Sequence, residues 1–107
     1  MHDPPTIDER ISTRVMGWAP GYTDTELCRW DGPGSSRLAS DWRPSVNVAQ
    51  AIEAIAHATR HRGGWSYDWN GANVHSVRAG HTRIEVDGGS MAAALCLAAL
   101  HTVGTCR

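Results

Sequence analysis

The chain has 107 residues, a net charge of −1, 41% hydrophobic residues and 20% charged residues. This is enough for one domain that withdraws ~60–70% of its unfolded surface from water, and the near-neutral balance excludes a general electrostatic pull toward nucleic acid or anionic lipid. The fixed positive charges are all arginine, for there is no lysine, and no phenylalanine either.

In chain order, residues 1–5 read as a flexible tail and 6–107 as a single domain. Thr6 and Glu9 form a capping box. Ile7, Ile11, Val15 and Trp18 then fall within about 80° on a helical wheel, which predicts a first helix over 7–16, ended by Gly17. "APGYTDT" reads as a loop and "ELCRW", 26–30, as a short strand. "DGPGSSRLASDWRPS", 31–45, is too rich in Gly, Pro and Ser for a regular element and reads as a long, function-bearing loop. Pro44–Ser45 opens a second helix over 46–62. Its apolar stripe, Val48, Ala49, Ile52, Ile55, Ala56 and Thr59, spans about 120° around Ile52.

"WSYDWN" alternates with period two, "NGAN" is a hairpin turn, and "VHSVRA" with "TRIEV" continues the sheet. Ser90 caps a third helix over 91–103. The fold class is therefore α+β: a small antiparallel or mixed sheet with helices packed on it, in the order α-β-α-β-β-(β)-α.

His57 and His61 stand four apart, a spacing at which two imidazoles on one helix face share a metal ion. With Ile52 at the centre of the core stripe, both point outward, and no Glu completes an H-E-x-x-H pattern. They read instead as a basic edge with Arg60 and Arg62 whose charge rises below about pH 6.5, and no metal or other cofactor is assigned. The serines lack a nucleophile elbow, and no phosphate loop of the G-x-x-x-x-G-K type is present. Cys28, Cys96 and Cys106 show no paired spacing and read as reduced thiols. The N-terminus is polar and acidic, unlike a secretion leader. The longest apolar run, "MAAALCLAAL", is too short to span a membrane.

Five tryptophans are the unusual feature. Trp18 and Trp69 read as core. Trp42 stands beside Arg43 in the irregular loop, and Arg37, Trp42 and Arg43 form the candidate binding set, since a Trp–Arg pair on a loop stacks on a base or anchors a partner; core packing is the competing reading of Trp42. On the third helix Leu95 marks the core face, with Met91, Ala99 and Thr102. Leu97 and Leu100 fall on the opposite side, which predicts a two-fold homodimer through that face.

"RVMGW" at 14–18, "W…RPS" near 42–45, the "VNVAQAIEAI" helix with its following "W-S-Y" strand, and "CLAAL" at 96–100 come in an order that resembles the phage ABA-sandwich domain family of tailed phages and prophages. The likeness runs over about residues 7–103. It implies a three-layer α/β/α sandwich and brings no catalytic residues. The Arg and His richness departs from it. By association, the resemblance implies a non-enzymatic counter-defence binder in the cytoplasm of the bacterial host. Such a protein occupies a host defence protein, such as a CRISPR effector, or sequesters a nucleotide immune signal; direct nucleic-acid and membrane binding are not expected. The alternatives are an enzyme that degrades a nucleotide signal with His75 or His81 as base, and a structural or regulatory accessory protein.

Overall fold

The structure, a computed structural model, describes residues 6–33, 35–69, 74–87 and 89–104. The 1–5 tail, the "NGAN" turn at 70–73 and Cys106 lie outside the described residues.

The elements are α1 (Ile7–Arg10), a π-helical turn (Ile11–Val15), β1 (Ala19–Thr23), β2 (Glu26–Gly32), β3 (Ser35–Leu38), a 3-10 turn (Ala39–Asp41), α2 (Val48–Ala58), β4 (Trp65–Trp69), β5 (Val74–Ala79), β6 (Thr82–Asp87) and α3 (Met91–Gly104). The class is α+β, with two three-stranded antiparallel sheets, β1-β2-β3 and β4-β5-β6. The second sheet is the one read from sequence. It turns Trp65, Tyr67, His75, Val77, Ala79, Ile84 and Val86 inward and Ser66, Asp68, Arg78, Arg83 and Glu85 outward. α3 packs on β5 and β6, and α2 and the π-helical turn pack on α3.

The first sheet replaces two segments expected to be irregular. β1 begins within "APGYT", where Pro20 is tolerated because β1 is an edge strand. The β1–β2 turn joins Thr23 to its partner Glu26 through Asp24 (φ 50°) and Thr25 (φ 72°), both left-handed. That two-residue geometry is usually announced by Asn-Gly or Asp-Gly, and here a β-branched threonine holds it. β3 forms inside the 31–45 loop, pairing Arg37 with Trp30 and Leu38 with Arg29.

The remainder of that segment is pinned rather than free. The Gln50 side chain donates to the Asp41 carbonyl (2.5 Å) and accepts from the Arg43 amide (2.6 Å). The Asp8 carboxylate accepts from the Ser45 amide (2.8 Å) and hydroxyl (3.1 Å).

α2 starts at an Asn47 cap, later than the Pro44–Ser45 opening, and ends at Ala58. Its core side is also turned. Ala51, Ala54, Ile55 and Ala58 are buried, whereas Val48 (41%) and Ile52 (36%) are exposed. On a wheel this rotates the core by about 90° from the Ile52-centred stripe. The reason is the neighbour: α2 meets another helix, α3, and the alanine side lets the two backbones approach closely. The caps at Thr6 and Ser90 are as read, accepting from the Glu9 amide (3.2 Å) and the Ala93 amide (3.1 Å).

One tryptophan assignment changes, and Trp42 takes the core packing that competed with its binding role. Trp42 is 1% exposed and Trp69 is 54% exposed, so the loop tryptophan is core and the strand tryptophan is not. Trp42 meets Trp18 edge-on at 4.8 Å between ring centroids. The Trp18 indole lies against Gly32, where an added Cβ would come within 2.6 Å of its Cδ1. Cys28 and Cys96 are both free thiols, and burial, with the Asp8 charge adding, pushes the Cys96 thiol up to about 12.

Two substitutions test this account. Gly32→Ala should displace Trp18 and cost about 1–3 kcal/mol in urea unfolding, with a change in tryptophan emission. Thr25→Gly should relieve the left-handed strain and raise stability by about 0.5–1 kcal/mol in the same assay.

Candidate functional site

The residues singled out from sequence are placed very differently from one another. Trp42 is buried, so its ring is not offered to a ligand, and its indole N–H finds no partner among the described residues. Arg37 lies over Trp42 at 4.7 Å and Trp18 at 5.4 Å, and its guanidinium donates to Glu53 at 2.7 Å. It therefore ties β3 to α2 across two indole faces. Arg43 is exposed and held through its backbone, its amide donating to the Gln50 side chain and its carbonyl accepting from the Val46 (3.1 Å) and Asn47 (2.9 Å) amides. Structure thus separates the set into two packing residues and one free surface side chain.

On α3, Leu95, Ala99 and Thr102 are buried as read, joined by Ala92, Ala94, Cys96 and Ala98. The outward strip is narrow: Ala93 and Leu100 are half-buried and Leu97 is 37% exposed. His57 and His61 do not share a helix face, because α2 stops at Ala58 and His61 sits in the turn beyond it. Burial, then the Arg60 charge, holds the His57 imidazole below its ordinary value. Among the described residues, no group of three or more His, Cys, Asp or Glu side chains is gathered to hold a metal ion. His75 is buried beneath the sheet and shares a 2.6 Å hydrogen bond with the Tyr67 hydroxyl through Nδ1; His81 is exposed in the β5–β6 turn.

What the structure does gather is the basic edge. A cleft of about 600 Å³ opens where the π-helical turn, the end of α2 and the end of α3 meet. Its walls carry Arg14, Arg60, His61 and Arg62, and its floor Val15, Ala58 and Val103. Among the described residues, no carboxylate lines it. Among the described residues the ion pairs are Arg29–Asp31, Arg37–Glu53 and Arg83–Glu85, so none neutralises a cleft arginine.

Local structure explains each position. The Met16 amide donates to the Ile11 carbonyl (2.9 Å), five residues back, and this wider turn carries Arg14 to the cleft beside buried Val15. π turns are rare and recur at functional sites. Ser12 Oγ donates to the Asp8 carbonyl (2.8 Å) and Thr13 Oγ1 to the Glu9 carbonyl (3.0 Å), steadying the segment. The Arg60 guanidinium donates to the His57 carbonyl (2.5 Å), and Arg62 donates to the Thr102 carbonyl (3.2 Å), which joins the α2 exit to α3. An added Cβ at Gly80 would stand 3.1 Å from the Arg62 carbonyl, so the β5–β6 turn backs the same wall.

The lining thus brings three arginines and a histidine together with Val15, Ala58 and Val103; planar guanidinium N–H forks are of the kind that match phosphate or carboxylate oxygens. Arg60, His61 and Arg62 were legible as a basic edge. Arg14 was not, because nothing local says that the end of the first helix meets the end of the second. Compared with known proteins, the chain matches no family model, no curated protein and no solved structure.

The separation of Arg37 from Arg43 is testable. Arg37→Ala should cost about 1–2 kcal/mol in chemical unfolding, mostly through the lost indole contacts, since an ion pair whose side chains are 37% and 41% exposed contributes little. Arg43→Ala should stay within about 0.5 kcal/mol of the parent.

Proposed function

We propose that the chain is a non-enzymatic binding protein that captures a small phosphate-bearing anion in the Arg14–Arg60–His61–Arg62 cleft. The observation that carries this reading is the lining itself: among the described residues, four basic side chains and no acid around a concavity of about 600 Å³. A net charge of −1 gives the surface no general attraction for anions, so the local excess is what selects them. Together with the resemblance to phage ABA-sandwich proteins, this supports the signal-sequestering form of counter-defence in a bacterial cytoplasm over the blocking of a host protein. The binding set Arg37, Trp42 and Arg43 is set aside for the cleft arginines, since two of its members are engaged in packing.

The degradative alternative finds less support. Among the described residues, the cleft lining lacks a carboxylate, serine or cysteine to act as nucleophile. His75 lies apart from it on the inner face of the β4–β6 sheet.

Titration calorimetry with pyrophosphate at low ionic strength tests the reading. Binding should weaken with added salt, and Arg14→Ala and Arg60→Ala should each reduce affinity about tenfold or more, the loss of a charge-assisted contact. After heat denaturation, chromatography should return a nucleotide added to the protein chemically unchanged. Absence of pyrophosphate binding overturns the proposal, and a chemically altered nucleotide transfers the protein to the degradative reading.

A further inference from the structure

The second sheet has an open edge at β4. That strand pairs with β5 on one side, and among the described residues no strand lies along its other side. α3 packs on β5 and β6, so β4 stands at the margin of the covered area. Trp65, Tyr67 and Trp69 share the inner face by alternation. Trp65 and Tyr67 are half-buried against the core, whereas Trp69 is 54% exposed.

An open edge is a row of unpaired N–H and C=O groups ready for another strand, and proteins usually blunt it with proline, lysine or a bulge. β4 has neither proline nor lysine, and its register with β5 runs without a bulge from Trp65 to Trp69.

The sequence of the strand specifies what fits there. WSYDW reads the same from either end except that Ser66 and Asp68 change places. We propose that β4 pairs antiparallel with β4 of a second copy of this chain about a two-fold axis through Tyr67, giving one six-stranded sheet. In that register Trp65 lies opposite Trp69 of the second copy, and Ser66 opposite its Asp68. A two-fold centred on a residue maps odd positions onto odd and even onto even. Whichever set points its backbone groups away from β5 therefore meets its own complement.

The axis stands perpendicular to the sheet, so the two inner faces lie on the same side. The exposed Trp69 then gains an aromatic cross-strand neighbour in Trp65 of the copy. On the outer face the Ser66 hydroxyl donates to the Asp68 carboxylate of the copy, and the contact occurs twice. Asp68 also selects the register, because a two-fold through Asp68 itself would set two carboxylates opposite each other. The dimer axis thus falls at β4 and not at the narrow Leu97–Leu100 strip of α3. This inference does not rest on the anion-binding reading, whose cleft lies at the ends of α2 and α3.

Sedimentation equilibrium between ~1 and ~200 µM, a range suited to an interface of modest size, should show a reversible monomer–dimer equilibrium for the wild type. Ser66→Asp sets like charges opposite each other at two places and should weaken association about tenfold or more. Adding Asp68→Ser to it exchanges the two partners and should restore association to within about threefold of the wild type. Positions 66 and 68 are exposed, so the variants should keep the parent circular dichroism. Trp69→Ser, which should also weaken association about tenfold, serves as the probe if Ser66→Asp unfolds. A wild type that stays monomeric throughout overturns the proposal, and so does a mass that grows past the dimer. It is overturned equally by a dimer that persists in Ser66→Asp, in which case Leu97→Glu asks whether α3 holds it, and by a double variant that remains as weak as Ser66→Asp.

Discussion

The second sheet, α2 and the π-helical turn are arranged around the need to enclose α3. Its sequence, MAAALCLAALHTVG, is apolar almost all round, and a helix of that kind must find cover on more than one side. The β4–β6 sheet covers one side, and α2 and the π-helical turn cover the next. The residues buried in consequence are mostly alanines, so the neighbouring backbones come close without large side chains to interdigitate. Packing of this type derives its stability from many small contacts, and it leaves little tolerance for enlargement at Ala94, Ala98 or Ala99, each fully buried. The cleft is a by-product of the same enclosure. It lies where α2 stops, where the π turn crosses and where α3 approaches its end, and the side chains at that seam are arginines.

The arginines sort into two populations. Arg29, Arg37 and Arg83 have carboxylate partners at 3.1, 2.7 and 3.5 Å. Among the described residues, no carboxylate lines the space in which Arg14, Arg60 and Arg62 are gathered. Like charges brought together carry a cost. Arg60 and Arg62 offset part of it by donating to the His57 and Thr102 carbonyls. Those bonds also fix the guanidinium planes, and a fixed fork loses less entropy when it takes up an anion than a free one.

The legible parts of the chain were those whose signal is local. β4, β5 and β6 alternate cleanly, and their pairing follows from that alternation. The core face of α3 was legible from Leu95, Ala99 and Thr102. What escaped depended on distant partners. β1 carries Pro20 and Gly21 and reads as a loop until its edge position is known; its turn uses Asp24–Thr25 where glycine was the cue sought. In α2 the bulky Val48 and Ile52 drew the predicted core toward themselves, while the partner helix selected the alanines. Trp69 departs from its core reading for a similar reason. Strand alternation identifies a face, not its cover, and at the Trp69 end the cover is thin. The loop around Trp42, by contrast, is closed down by Gln50, Asp8 and Arg37 from three separate elements.

The π turn shows how packing and the site are coupled. Widening a helix by one residue sacrifices regular hydrogen bonding, and rare backbone states persist only where their surroundings over-determine them. Here Ile11, Ser12 and Val15 are buried on the inner side of the turn, and Trp18, bonded through its amide to the Ser12 carbonyl at 2.9 Å, continues onto Gly32 and Trp42. An α-helix rotates about 100° per residue, so widening one turn shifts the phase of Arg14 and Val15 together relative to α1. Both line the cleft, and Val15 is buried as well. The tryptophan cluster on one side of that turn and the basic cleft on the other are therefore parts of a single constraint. Loosening the Trp18–Gly32 contact would be felt at Arg14, although the two stand on opposite sides of the segment.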